Sequence, residues 1–248
     1  MSVIDEVTKL SRLAREHLGE DLGERWSRML APAARLTPGL DAPRGWLSRR
    51  GSAGPQVLGW LGGVPLGPMG AGWPVWEGYG PLSHVATLDC GHLYPSVPHR
   101  LRDAGFPAEG LLSFFYFDGA VDGGIEVVGA LFGTEEGARV VYTPAGADLV
   151  ELSPPAPLMP YRRVELVAET VLTWPTWEHP DLHGGQLLAD GWDALFAALD
   201  EVRQQHPGPA HQVGGHPDPV QGPVEAEMAY GRLGGVRLVG PRSHRGRT

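Results

Sequence analysis

Between Pro32 and Gly80 a glycine or proline recurs every few residues, which forbids regular helix over the whole stretch. Proline removes a backbone donor and clashes with the preceding turn, while glycine opens conformations with positive φ. Trp46, Trp60, Trp73 and Trp76 fall within the same stretch. Segments that stay unfolded are poor in aromatic residues, because they bury too little apolar surface to offset chain entropy. The stretch is therefore predicted to form ordered loops and short strands packed on a core.

The flanks carry clearer periods. Val3, Ile4, Val7, Leu10, Leu13 and Leu18 fall three or four apart, as on one face of a helix, with Ser2 and Asp5 placed to cap it and Gly19 to end it. Asp21 and Glu24 resemble a second capping box, opening a helix through Trp26, Met29 and Leu30 that Pro32 closes. Near 191–205, Trp192, Leu195, Phe196, Leu199 and Val202 mark a long helix, with Asp190 as its cap. Strands are predicted in "LSHVATLD", "LLSFFYF", "ARVVYTP" and "RVELVAETVLTW". The aromatic run of the second suits a strand covered on both faces. The expected fold is α+β: a mostly antiparallel mixed sheet core with N-terminal helices and one long helix near 191–205. Residues 1–231 are read as a single domain and 232–248 as a basic tail, disordered or aberrant.

Several function classes fall away. At 248 residues the chain has ample length for a core, and it holds no apolar run long enough to cross a membrane. Its start lacks the apolar region of a signal peptide, so a cytoplasmic protein is expected. The formal charge of −9 argues against nucleic acid as partner, since phosphate binding relies on Lys and Arg. Arginine supplies every cationic residue except Lys9, a bias that goes with the abundance of Gly and Pro. With Cys90 as the one cysteine, neither an intramolecular disulfide nor a thiolate metal site can be built. Phosphate-binding, zinc-protease, serine-hydrolase and dinucleotide motifs are all missing, so no cofactor is expected.

The remaining candidates lie in three turns. Asp89, Cys90 and His92 bring a carboxylate, a thiol and an imidazole together at a strand end, where a lowered pKa would make Cys90 a nucleophile. Free cysteine is more often a buried apolar residue, and the Thr87–Asp89 pair is expected to fix the turn. His179 and His183 have metal-binding spacing only on a helix, which Pro180 and Gly184-Gly185 exclude; they and His216 make the weakest candidate, and no metal is expected. His206, His211 and His216 recur every five residues, around a Gly214-Gly215 pair that supplies a turn needing positive φ. His211 has the strongest claim to a catalytic or ligand role, with Asp89, Asp218 or Gln221 to assist.

Three ordered segments resemble one family. "LGGVPLGPMGAGWP" leads from a Gly-Gly-x-Pro loop to Trp-Pro; "LSHVATLD" with "GFPAEGLLSFFYFD" forms a strand pair; "HQVGGHPDPVQ" is a His-x-x-Gly-Gly-x-Pro loop ending in Gln. "RVVYTP" and "LAPAARL" also fit. Together they resemble the YwqG-like bacterial proteins, a domain of unknown function, over about residues 28 to 228. The resemblance implies a single mixed α and β domain with no assigned activity, and so offers no catalytic residues to carry over. It also implies a Gln where Thr87 stands, and a further strand and an acidic turn where "YGRLGGVRLVGPRSHRGRT" runs basic. The loss of acids after Glu227 motivates the expectation of a truncated or frame-shifted C-terminus. The function expected is a non-catalytic binding or regulatory module for a protein or small molecule, its acidic body suited to a basic partner, with Trp73, Trp76, His211 and Gln221 as binding residues. The alternative is a hydrolase-like enzyme with His211 as base or ligand and Asp89 or Asp218 beside it.

Overall fold

A computed structural model describes residues 3–39, 57–119, 134–176, 179–182, 191–204 and 211–217. Helices α1 (Val3–Leu18) and α2 (Glu20–Ser27) precede strand β1 (Ala31–Pro38). Four short strands follow: β2 (Gly59–Leu61), β3 (Leu66–Pro68), β4 (Val75–Trp76) and β5 (Gly80–Pro81). Next come β6 (Ser83–Asp89), α3 (Cys90–Leu93), α4 (His99–Asp103), β7 (Leu111–Tyr116), β8 (Ala138–Thr143) and β9 (Leu149–Glu151). The chain then forms β10 (Val164–Thr173), α5 (Gly191–Arg203) and β11 (His211–Val213). Helices and an antiparallel sheet together make the fold α+β. Among the described residues no helix is long and apolar enough to cross a membrane.

The described residues form two compact units that alternate along the chain. One lies within Met1–Thr37, Ser96–Gly105 and Ala168–Glu225; the other lies within Pro38–Pro95, Phe106–Val167 and Ala226–Thr248. Strand β10 gives residues 168–173 to the first and 164–167 to the second.

In the first unit the strands run β11-β1-β10. Its core joins α1, α2 and α5 through Leu10, Ala14, Leu18, Trp26, Leu195, Leu199 and Val202, with Leu172, Trp174 and Leu182. The three residues of α5 come from its apolar stripe, as the period predicts. The expected face of α1 packs on this core through Val7, Leu10, Leu13 and Leu18, with Ala14 added, but Ile4 is 77% exposed. Nor does a capping box start α2, whose N-cap is Gly19 with no side-chain bond. An acidic first turn, Glu20 and Asp21, still favours that end of the helix dipole. The helix ends at Ser27, well before Pro32, which sits inside β1. Trp26 donates its indole N–H to Pro175 O at 3.1 Å, so the buried ring leaves no unmet donor. Asp190, Ser2 and His206 lie outside the described residues.

In the second unit the order is β10-β2-β6-β7-β8, with β3-β9 and β4-β5 as separate ribbons. Strand β7 buries Leu111, Ser113 and Phe115 more deeply than Leu112 and Phe114, and Tyr116 is exposed. It is therefore covered mainly on one face, not on both as its composition suggested. One core cluster gathers Trp76, Leu82, Phe115 and Phe117; another gathers Trp60, Leu66 and Leu111. The Trp-rich stretch thus supplies apolar mass to short strands that could not hold themselves by pairing alone.

Candidate functional site

A β-bulge sets the most developed polar arrangement in the second unit. The β6–β7 register slips between His84 and Ala86, where Val85 is the extra residue. In an uninterrupted strand, residues three apart face opposite sides. The extra residue brings His84 and Thr87 to one side, and Thr87 stands opposite Ser113 of β7. The exposed backbone of the bulge is satisfied too: Gly62 N donates to Val85 O at 2.8 Å.

His84, Thr87 and Ser113 are all buried. His84 Nδ1 lies 3.2 Å from Gly63 O, which can only accept, so Nδ1 carries the proton. Nε2 then accepts from the Thr87 hydroxyl at 2.8 Å, and Thr87 accepts from Ser113 at 2.9 Å. Burial, the largest influence, pushes the His84 pKa below its ordinary 6.5, and the positive Arg163 adds to this; hydrogen bonds with Gly63, Ala86 and Gly62 oppose it. The neutral imidazole thus has both ring nitrogens hydrogen-bonded to protein groups. The three side chains form one buried hydrogen-bonded network, arranged like a relay.

Beside it lies a shallow cleft, enclosing no water-sized space, lined by Gly63, Trp73, Ser83, His84 and the segment Leu158, Met159, Pro160 and Tyr161. Gly62 (φ 57) and Gly63 (φ 63) turn the chain tightly here. Gly63 N donates to Tyr161 O at 2.8 Å, tying the turn to the opposite wall. Trp73 is held edge-on to Phe115, centroids 5.7 Å apart, and donates its indole N–H to Leu82 O at 2.8 Å. The Tyr161 hydroxyl donates to the Asp118 carboxylate and engages Ser83. Asp118 holds that phenol above its ordinary pKa, with burial adding to the shift.

The residues singled out from sequence fall in separate places. Trp73 lines this cleft, whereas Trp76 is buried and stacks on Tyr79 at 3.9 Å. Asp89 caps α3, accepting from His92 N at 3.0 Å, and its other oxygen lies 3.3 Å from His92 Nδ1. Thr87 takes no part in that turn. Cys90 is fully buried, and its thiol is pushed up to about 12, by burial first and Asp89 second. The trio therefore holds no activated nucleophile.

In the first unit His211 is exposed on β11, paired through its backbone with Leu36. His216, not His211, reaches a backbone carbonyl: its Nε2 lies 2.6 Å from Met29 O. His216 N donates to Thr173 Oγ1, and the Gln212 amide bridges Gly214 O and His216 O. Gly214 (φ 79) and Gly215 (φ 71) adopt the positive φ expected of the loop. His179 lies 5.5 Å from His216 between ring centroids. Among the described residues no group of three or more His, Cys, Asp or Glu is placed to hold a metal ion. Asp218, Gln221 and His183 lie outside the described residues.

Sequence reasoning passed over His84, Ser83, Asp118 and Tyr161. The bulge that aims His84 leaves no mark in a strand pattern. Tyr161 sits at the end of "PPAPLMPY", where clustered prolines beside Met159 (81% exposed) offered a usable signal. No curated protein matches the chain. The sequence model of one family, described as a domain of unknown function, DUF1963, matches residues 60–239, past Met228 at its end and starting after "LAPAARL". With most of its length so matched, the chain belongs to the DUF1963 family.

Proposed function

We propose that this protein is a non-catalytic binding module of the YwqG-like branch of its family, with the Trp73–Tyr161 cleft as its recognition site. The observation that carries the reading is the pairing of an open cleft with spent polar chemistry. Of the titratable groups in the cleft wall, His84 has both ring nitrogens hydrogen-bonded inside the protein and Tyr161 donates to Asp118. What remains is an aromatic and thioether surface with few polar groups, the make-up of a binding site. As a shallow depression that encloses no water-sized space, it offers a surface contact rather than a small-molecule pocket. The enzyme alternative has less support: His211 is exposed, and its ring makes no hydrogen bond among the described residues.

A ligand-observed NMR screen of mixed peptides and metabolites against the full chain tests the reading. Bound compounds are expected to be recovered unchanged and to lose binding in Trp73→Ala, while His211→Ala binds normally. Turnover of a bound compound, or binding indifferent to Trp73, overturns the proposal.

A further inference from the structure

We propose that the His84–Thr87–Ser113 network is an acid-sensitive latch: protonating His84 undoes it and loosens the Gly62-Gly63 turn from the bulge of β6. The inference holds whether or not the cleft binds a partner. In the neutral network every side-chain hydrogen has one acceptor, and all point the same way. Ser113 donates to Thr87, Thr87 donates to Nε2 of His84, and Nδ1 donates to Gly63 O, where the chain of bonds ends. Its last member fixes the direction, because a carbonyl accepts and never donates.

A proton added at Nε2 has no place in that order. Nε2 then aims a hydrogen at Thr87 Oγ1, which must turn its own hydrogen to Ser113 Oγ. The Ser113 hydrogen is left over, since among the described residues Ser113 Oγ bonds with Thr87 alone. All three side chains are buried, and a buried donor without an acceptor is destabilising. The new charge is disfavoured as well. Burial and the positive Arg163 oppose it and outweigh the carbonyls of Gly63, Ala86 and Gly62, which favour it. On β7 the ring meets uncharged Phe115, centroids 5.4 Å apart. From the 158–161 segment the cleft receives Tyr161, neutral and donating to Asp118. Among the described residues no carboxylate bonds to the His84 ring.

The network borders the surface where His84 lines the shallow cleft with Gly63, Ser83 and Tyr161. The cleft encloses no water-sized space, so no water hydrates the cation from that side while the wall stands. Three bonds hold the Gly62-Gly63 turn in that wall: Gly62 N to Val85 O, Gly63 N to Tyr161 O, and His84 Nδ1 to Gly63 O. The imidazolium gains water by leaving the network, which breaks the third bond. Val85 is the bulge residue next to His84, so the first bond loosens with it. Acid is thereby converted into a local opening beside the bulge.

The test follows the full-length protein by NMR from about pH 7.5 to about pH 5. Long-range proton–nitrogen spectra of the His84 ring are expected to show hydrogen on Nδ1 alone at the upper end. As the ring protonates, hydrogen-exchange protection of the Gly62 and Gly63 amides is expected to fall at least about tenfold, while β8 keeps its own. In His84→Gln, which does not titrate, both glycines are expected to stay protected throughout. Hydrogen on Nε2 at the upper end overturns the inference, as does a protonated ring with both glycines still protected. So does a ring that stays neutral until β8 also loses protection, because His84 would then serve global stability alone. An equal loss of glycine protection in folded His84→Gln overturns it too. Should that variant not fold, the comparison of the glycines with β8 in the parent decides.

Discussion

Cys90 and His84 are both buried on or beside β6, and burial moves their protonation in chemically opposite ways. The Cys90 thiol, pushed up to about 12, stays neutral at every ordinary pH. A thiol reagent such as Ellman's is expected to leave the native protein unlabelled and to label one equivalent in denaturant; rapid native labelling would show an activated cysteine. For His84 the folded pKa lies below its ordinary 6.5, so below that pH the unfolded chain binds more protons. Its contribution to stability is present above 6.5 and is lost as pH falls from there through the folded value. Denaturant titrations across that window are expected to give a falling midpoint in the parent and a flatter profile in His84→Gln. Thr87→Val leaves Nε2 buried without a donor and is expected to cost about 1–3 kcal/mol by chemical denaturation. These roles were legible in part. The type and burial tendency of Cys90 could be read from the chain, but the Thr87 contact with His84 depends on a bulge that no residue pattern announces.

Single backbone features decide the fate of whole elements. Strand β11 has three residues, and the Gly214-Gly215 turn after it returns the chain so that His216 meets Thr173 and Met29. A Cβ at Gly215 would stand 2.4 Å from Thr173 Oγ1 and 2.8 Å from the Ala33 Cβ, at a φ of 71 that side chains resist. Gly215→Ala is therefore expected to cost more than about 1 kcal/mol and to speed hydrogen exchange through His211–Val213. Exchange unchanged from the parent would mean that the turn does not hold the strand. The need for glycine here was readable, because proline and paired glycines name a turn whatever surrounds it. The partners of the turn were not readable, since Met29 and Thr173 are far away in sequence.

At the scale of the whole molecule, charge governs which partners approach. Net negative charge is expected to favour association with a lysine-rich peptide at low salt. The effect should fade as ionic strength rises from about 0.01 to about 1 M, where the screening length falls from about 30 to about 3 Å. An affinity that ignores salt would place recognition in apolar contact alone. That charge balance is a property of composition, and so is the α+β class: periods of 3.6 and 2 residues, broken by Gly and Pro, allow few other solutions. Local chemistry of this kind needs only neighbours in sequence, and the sequence by itself determined the three longer helices, the strands β6, β7, β8 and β10, the Gly214-Gly215 turn and the family-marking segments. The division of the chain into two alternating units, the side-by-side placement of Trp73, Asp118 and Tyr161, and the closing of the His84 network were decided only by tertiary structure. Each depends on contacts between residues distant in sequence, chosen by packing and strand register rather than by local preference.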